Sequence, residues 1–523
     1  MAYDYIPVRR GQVMLLPVDM NDWLEEEHLA RFVATMVERI DTSVLHQVHR
    51  NDGAGRPAYD PEMMLAVLIY AYATGTRSSR RIEAACRTDA AFRYLTGGAV
   101  PDHATIARFI VDQEGAMEPL FVTGLRLLDL AGLVDLSLVA IDGTKMAADA
   151  SLKANRTREW ILTQVKALLA ATVASEAAEA SGAAVDPMSA AAITGALGQL
   201  RRLQDALDRL DAEDAAEAAV EAAKTEAARA AAADGRKLMG AKPKDPAAAL
   251  ARAETDYAVA RARADTRAAQ RAALEAEAAA EGRAVRGRVP GPDRRLARAE
   301  AALAAAQAKA AAAPPPAPRR ANVTDADSRI MMSQKGFLQG YNSFAAVTLQ
   351  GIIVGQGVTN EVCDVHQLQP MLAQIATNPV LKGCLGPDGF TVLADAGFWS
   401  EANAALAGSP ELGNPRLLIA TQKDWKQRRA AQQAGTTVGQ PPQGASALEA
   451  MEHRLRTAEG AAVYHRRSST IEPVFGDQKH NSGYRRFRQR GLPAVRAEWA
   501  LMSLTRNMVK LFEHLRTPDP ATS

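Results

Sequence analysis

The chain has 523 residues, 47% of them hydrophobic and 23% charged, with a formal net charge of +2. That length supports two to four domains with at least one sizeable core. So balanced a charge excludes a uniformly basic protein, and any nucleic-acid surface has to be a local patch. Three scattered cysteines, Cys86, Cys363 and Cys384, argue against a disulfide framework, and nine histidines show no zinc-site spacing. No run approaches the roughly 20 apolar residues of a membrane span. Charges in the opening "MAYDYIPVRRGQVMLLPVDMNDW" come too early for a signal peptide, so a cytosolic protein is expected.

Residues 1–130 read as a series of short helices. "YDPEMMLAVLIYAYATG" opens on an Asp60–Pro61 start signal and stays apolar for several turns, which describes a buried helix. "TRSSRRIEAACRTDAAFRYLTGG" follows with Ser78 or Ser79 as its cap and Arg77, Arg80, Arg81 and Arg87 around the start. "PDHATIARFI" begins another helix. Arginines near helix starts suit a helix-turn-helix relative, and a plain helical bundle, the simpler reading, suits the same pattern. At Leu136 the texture changes. "LSLVAIDGTKMAADAS" is an apolar run that reads as a buried strand with Asp142 at its C-terminal end, where open sheets place ligands.

From Glu159 onward the sequence is alanine-rich and charged. Leu197, Leu200, Leu203, Leu207 and Leu210 recur in steps of three and four, the seam of a coiled coil. "AADGRKLMGAKPKDP" and "GRAVRGRVPGPDRR" break the pattern, and "PPPAP" at 314–318 ends it. A long helical hairpin over 159–319, inserted into another domain, is expected; a low-complexity spacer is the alternative.

Strand texture returns in "GYNSFAAVTLQGIIVGQGVTN", two runs broken at Gly351, hence a hairpin. "DVHQLQPMLAQIATN" is helical. "FTVLADAGFWS" is a second buried strand ending at Asp395, "SEANAALAG" a helix, and "PRLLIATQK" a fifth strand. In "STIEPVFGDQKHNSGYRRFRQRG" a helix capped by Ser469 or Thr470, with Pro473 in its first turn, carries Glu472 and Lys479 on one face, seven residues apart. Arg485, Arg486, Arg488 and Arg490 follow, interleaved with Tyr484 and Phe487. Two readings are open: a polyanion-binding surface beside a metal, or a solvated amphipathic helix with a basic tail. The closing helix repeats Leu501, Leu504, Met508 and Leu511 as core packing.

The order is strand–Asp142, hairpin, helix, strand–Asp395, strand, helix–Glu472. A mixed sheet would bring the two aspartates to one edge with the glutamate helix across it. Three carboxylates without histidine or cysteine suit magnesium or manganese, and two such ions can activate a water or 3′-hydroxyl against a phosphodiester. Each acid has a plainer alternative. Asp142 can cap the turn after its strand, Asp364 a helix, and Asp149, Asp325, Asp327 and Asp477 compete as carboxylates. Lys145 and Asn403 suit DNA or plain surface, and Trp399 suits a stacked base or the core.

Taken together, "VAIDGTKMAADAS", "TVLADAGFWSEAN" and "YHRRSSTIEPVFGDQKHNSGYRRFRQRGL" resemble the DDE transposases of bacterial insertion sequences, in particular the group numbered eleven eighty-two. "TDADSRIMMSQKGFLQGYNSFAAV" and "YDPEMMLAVLIYAYATGTRSSRRIE" carry the same resemblance. It implies an α/β, ribonuclease-H-like mixed-sheet catalytic core over 131–158 and 320–513 and an N-terminal helical DNA-binding domain over 1–130; it covers most of the chain apart from the alanine-rich coiled-coil insertion over 159–319, and a tail over 514–523 follows. It implies that Asp142, Asp395 and Glu472 hold two magnesium or manganese ions, and that Lys479 contacts DNA near the cut. Tyr464 and Arg467 match the family's tyrosine and arginine ahead of the glutamate. The arginine stands five residues before Glu472, and Ser468 occupies the four-before place. The arginines at 485, 486, 488 and 490 are assigned to backbone phosphates. The implied activity is cleavage of terminal inverted repeats and transfer of their 3′-hydroxyls to target DNA, by a homodimer in the cytoplasm at the nucleoid and without a membrane. A metal-dependent nuclease without strand transfer, and a non-catalytic DNA-binding copy, are the alternatives.

Overall fold

The structure is a computed structural model that describes residues 19–48, 58–180, 187–233, 246–282, 293–313, 317–333, 336–422, 429 and 435–517. The opening segment read for a signal peptide, the breaks at 234–245 and 283–292, residues 314–316 of the proline stop and residues 518–523 of the tail lie outside the described residues. The chain divides into two compact units, Met1–Asn155 with Asn322–Ser523, and Arg156–Ala321.

Among the described residues of the first unit, six α-helices precede the sheet: α1 (Leu29–Arg39), α2 (Pro61–Ala73), α3 (Ser79–Thr88), α4 (Ala90–Leu95), α5 (His103–Asp112) and α6 (Glu114–Leu130). The start signals act as expected at α2 and α5. Asp60 accepts the Glu62 N–H at 2.8 Å, and Asp102 accepts those of Ala104 and Thr105 at 3.0 Å. Helix α2 is apolar on all sides because it is buried on all sides, Met64 to Tyr72 without interruption. Ser78 stands at the N-cap of α3 without making a side-chain cap.

The sheet is mixed. Its strands are β1 (Leu138–Ala147), β4 (Arg329–Ser333), β5 (Gly336–Thr348), β6 (Ile353–Thr359), β7 (Phe390–Ala394) and β8 (Pro415–Ile419); β2 (Asn155–Thr157) and β3 (Arg320–Asn322) pair separately. β5 runs antiparallel to β1, β4 and β6, whereas β1, β7 and β8 run parallel. The β5–β6 hairpin turns at Gly351, whose φ of +78° suits glycine. Leu138–Ile141 of β1 and most of β7 are buried, which is why these stretches read as apolar runs. Three strands, β2, β3 and β4, went unread in the sequence, being short or, in "RIMMS", too mixed to show alternation.

Short helices α11 (Leu368–Thr377) and α12 (Glu401–Ala404) follow, the former packed on β6, then α13 (Ala447–Arg456), α14 (Ala458–His480) and α15 (Leu492–Arg516). Helix α15 lies against α2, α6 and β6, and Leu501, Leu504, Met508 and Leu511 are all in the core. It is more than core filling, however, since Glu498, Ser503, Thr505 and Asn507 are buried with it.

Among the described residues the second unit holds four helices where one hairpin was expected: α7 (Arg158–Ala180), α8 (Pro187–Ala233), α9 (Pro246–Ala280) and α10 (Arg294–Ala312). α7 packs on α8 and α9 on α10. Of the leucine seam, Leu203, Leu207 and Leu210 are buried while Leu197 is exposed, so the seam closes over its second half. Arg158 reaches Asp211 and Asp214, and Arg319 reaches Asp214 and Glu217, so both ends of the insertion are tied to one stretch of α8.

Candidate active site

β1 and β7 are in register from Leu138 opposite Thr391 to Ile141 opposite Ala394. One residue further along each strand stand Asp142 and Asp395, on neighbouring backbones about 4.8 Å apart. Asp142 lies in the middle of β1 and not at its end. β5 pairs along the whole strand, with Ala345 opposite Asp142 and Gly340 opposite Ala147, and so carries β1 past the aspartate. Asp395 does follow directly on β7, and its Oδ1 accepts the Gly397 N–H at 3.0 Å.

Asp142 is pushed up to about 6, first by burial and then by the Asp395 charge; Arg467 and the Gly143 N–H pull the other way. Arg467 Nη1 donates to Asp142 Oδ2 at 2.9 Å, and the Gly143 N–H donates to Oδ1 at 2.7 Å. Two like charges side by side in a desolvated place, each offering hard oxygens, fit a divalent cation.

Helix α14 packs on β1, β5 and β7. Its cap, Thr457, which accepts the Gly460 N–H, stands twelve residues ahead of Ser469 and thirteen ahead of Thr470, the expected caps, and Pro473 lies inside the helix. Pro473 is tolerated because it and Ser469, whose carbonyl loses its intrahelical donor, face solvent. Inward go Arg467, Thr470, Ile471, Val474, Phe475 and Gln478. The Tyr464 hydroxyl donates to the Ala394 carbonyl at 3.2 Å, next to Asp395. Lys479 Nζ hydrogen-bonds Thr144 Oγ1, and burial lowers its pKa against the attraction of Asp142. Glu472 projects exposed from the same helix. Among the described residues no three acidic, histidine or cysteine side chains close a metal cluster. The fold therefore brings Asp142 and Asp395 together, sets Arg467, Tyr464 and Lys479 around them, and leaves Glu472 turned outward on the helix above.

The arginine run is extended beyond α14. Tyr484 and Phe487 are buried, while Arg485, Arg486, Arg488 and Arg490 are exposed. The Phe487 N–H donates to the Ala147 carbonyl at 2.9 Å, so the run lies beside the end of β1. Arg490 pairs with Asp149 at 2.7 Å, and Arg485 Nε donates to the Lys479 carbonyl. Arg467, 7% exposed, holds a carboxylate instead of presenting itself to a phosphate.

Several plainer readings resolve. Asp364 makes no side-chain cap; its Oδ1 takes Lys145 Nζ at 2.9 Å and Asn342 Nδ2 at 2.7 Å. Asn403 is buried and donates to the carbonyls of Val365 and Phe398, a structural staple. Trp399 packs half-buried against the core. Asp477 pairs with Arg506. A buried polar knot went unread: Glu498 takes the Tyr72 hydroxyl at 3.0 Å and the N–H groups of Arg488 and Gln489 at 2.8 and 2.9 Å. Its one sequence signal was a glutamate amid the apolar residues of "VRAEWALM".

A family model described as a transposase domain (DUF772) matches residues 18–112, and one described as a transposase DDE domain matches residues 425–512. The second span contains Tyr464, Arg467, Glu472, Lys479 and the arginine run; Asp142 and Asp395 lie outside both. No curated protein and no solved structure matches the chain.

Proposed function

We propose that this chain, a DDE-type transposase of an insertion sequence by the domains it carries, cuts DNA at the terminal inverted repeats of its element and joins the freed 3′-hydroxyls to target DNA. The observation that carries the reading is the Asp142–Asp395 pair on adjacent parallel strands, under the helix bearing Glu472 and Lys479. The strand order, with β5 and β6 on one side of β1 and β7 and β8 on the other, supports a ribonuclease-H-like core. Asp142, Asp395 and Glu472 would hold two magnesium or manganese ions, which supply activation of an attacking oxygen and stabilisation of the leaving one. Glu472 stands about 1.4 turns, or 7.5 Å of helix rise, beyond Arg467, and its exposed side chain would join the two aspartates only by turning inward.

The remaining residues bind and orient. Arg467 fixes the Asp142 carboxylate and Tyr464 steadies the backbone at Asp395. Lys479, beside Asp142 and partly desolvated, places a cation where a scissile phosphate would lie. Arg485, Arg486 and Arg488 would hold flanking phosphates, positioning the duplex without reading sequence. Arg490 would join them only by leaving Asp149.

The test is cleavage of a duplex carrying the element's end, with magnesium or manganese, by wild type and by Asp142→Ala, Asp395→Ala and Glu472→Ala. Each substitution is expected to abolish cutting and leave duplex binding largely intact. Undiminished cutting by any of them would remove that acid from the site, and cutting without joining would leave a nuclease.

A further inference from the structure

A further acid, Asp364, stands beside Asp395. A Cβ built on Gly397 would meet Asp364 Oδ2 at 2.9 Å and Asp395 Oδ1 at 3.1 Å, which puts those two oxygens no more than about 6 Å apart, within range for like charges to act on each other. Asp364 nevertheless closes no metal cluster among the described residues. The reason lies in what holds it. Lys145 comes three residues after Asp142 on β1, so the strand sends it to the opposite face of the sheet, directly across from Asn342 of β5. Its Nζ donates to Asp364 Oδ1 and to the Val362 carbonyl, both at 2.9 Å. Asn342, fully buried, donates from Nδ2 to the same Oδ1 at 2.7 Å and to the Glu361 carbonyl at 3.3 Å. The ion pair is 18% and 23% exposed at its side chains, so water and salt screen it less than a surface pair. Asn403 then ties the turn after Asp364 to the turn after Asp395, donating to the carbonyls of Val365 and Phe398, both at 2.7 Å. A chain of contacts thus runs from β1 through Lys145, Asp364 and Gly397 to Asp395.

We infer that Asp364 is a positioning residue for Asp395, and that Lys145 neutralises it so that it braces the second aspartate without drawing a cation away from the pair. The inference deepens the proposed function and rests on the metal pair invoked there. Arg467 holds Asp142 from the α14 side of the sheet, and Lys145 holds Asp364 from the other. A carboxylate released from Lys145 would add a full negative charge beside Asp395, and a lysine released from Asp364 a full positive one. The same contacts commit the Lys145 ammonium to Asp364 and a carbonyl, and so assign it to the protein and not to a DNA phosphate.

The test is a charge cycle in the full-length chain: Lys145→Met, Asp364→Asn and the double variant. Lys145→Met keeps the apolar stem, and Asp364→Asn keeps an oxygen for Lys145 and Asn342. Each protein is melted over a range of magnesium, and the concentration giving half of its own rise in Tm is read. Lys145→Met should need about fivefold less magnesium than wild type and Asp364→Asn about fivefold more. The double variant should return to the wild-type requirement. A merely structural role would not move the two singles in opposite directions. Cleavage of an end duplex at saturating magnesium should fall severalfold in all three, because restored charge does not rebuild the brace, while duplex affinity stays as in wild type. A magnesium requirement unmoved in both singles, or moved the same way in both, overturns the inference. Undiminished cleavage by the double variant overturns the positioning of Asp395. Weaker duplex binding by Lys145→Met, with a salt slope smaller by about one, makes Lys145 a phosphate contact and overturns its assignment to Asp364. A wild type whose melting ignores magnesium removes the metal pair and this role with it. One that responds to magnesium but does not cut fails the transposase reading alone, and the melts still decide the charge balance between Lys145 and Asp364.

Discussion

Asp142 carries the largest electrostatic tension in the site, and its direction makes a testable consequence for the metal-free protein. Its folded pKa of about 6 lies above the ordinary aspartate value of 3.8, so the folded state binds the proton more tightly than the unfolded one. Stability from this group is therefore full below about pH 4, falls as pH rises towards 6, and stays lowered above it. Asp395→Asn removes the repelling charge and keeps an oxygen for the Gly397 N–H. Without divalent cation it should be more stable than wild type at pH 7–8, by on the order of 1 kcal/mol, and equal at pH 4. Urea titrations with a chelator check this; added magnesium should reverse the ranking. Arg467→Met should leave Asp142 half-buried and unpaired, destabilising the chain by about 3 kcal/mol and abolishing cleavage, whereas Arg467→Lys should recover part of the stability. Gly397 gives a steric counterpart. A Cβ there would lie 2.9 Å from Asp364 Oδ2 and 3.1 Å from Asp395 Oδ1, so Gly397→Ala should lower the cleavage rate while Tm changes little.

At the scale of elements, α15 joins the N-terminal helices to the arginine run through one buried carboxylate. Glu498→Ala would leave the Arg77 guanidinium without its charge partner, and the Tyr72 hydroxyl and the N–H groups of Arg488 and Gln489 without their acceptor. The expected loss is 3 kcal/mol or more, as a lower urea midpoint. Such a knot was illegible in the sequence because Glu498 lies hundreds of residues from Tyr72 and Arg77 and no local period links them. What was legible was local. β7 announced itself as an apolar run stopping at Asp395, the β5–β6 hairpin through Gly351, and α2 through Asp60. β1 was read only to Asp142, since "GTKMA" looks like a turn; yet Thr144 and Met146 are buried and alternate with Gly143 and Lys145, a period of two hidden by polar residue types. On α14 the helix itself was read, but its start was missed because Ser469 and Thr470 imitate a cap. Pairing Lys479 with Glu472 on one face was sound geometry; that Arg467 would reach Asp142 required knowing which strand lay beneath.

Across the whole molecule, the second unit interrupts the first between β1 and its partners. Since β2 and β3 pair with each other, the chain leaves and returns at neighbouring points. Excising residues 158–319 and joining Thr157 to Arg320 by a short glycine–serine linker should leave a cooperatively folding protein that still binds magnesium, seen by circular dichroism and metal-dependent melting. The same deletion should weaken binding of end duplex or assembly into multimers; if both are unchanged, the insertion serves neither. The strand pairing also sets a timetable during synthesis. Val139 meets Thr348 on one flank and Val392 on the other, so β1 leaves the ribosome more than two hundred residues before either neighbour exists. At about 5–20 residues per second that is some 10–40 s, during which helices α7 to α10 can form on their own and the strand bearing the first aspartate waits with both edges bare. The nascent chain thus lacks the Asp142–Asp395 pair until most of it has been made, and slowing its translation should raise its exposure to chaperones and aggregation.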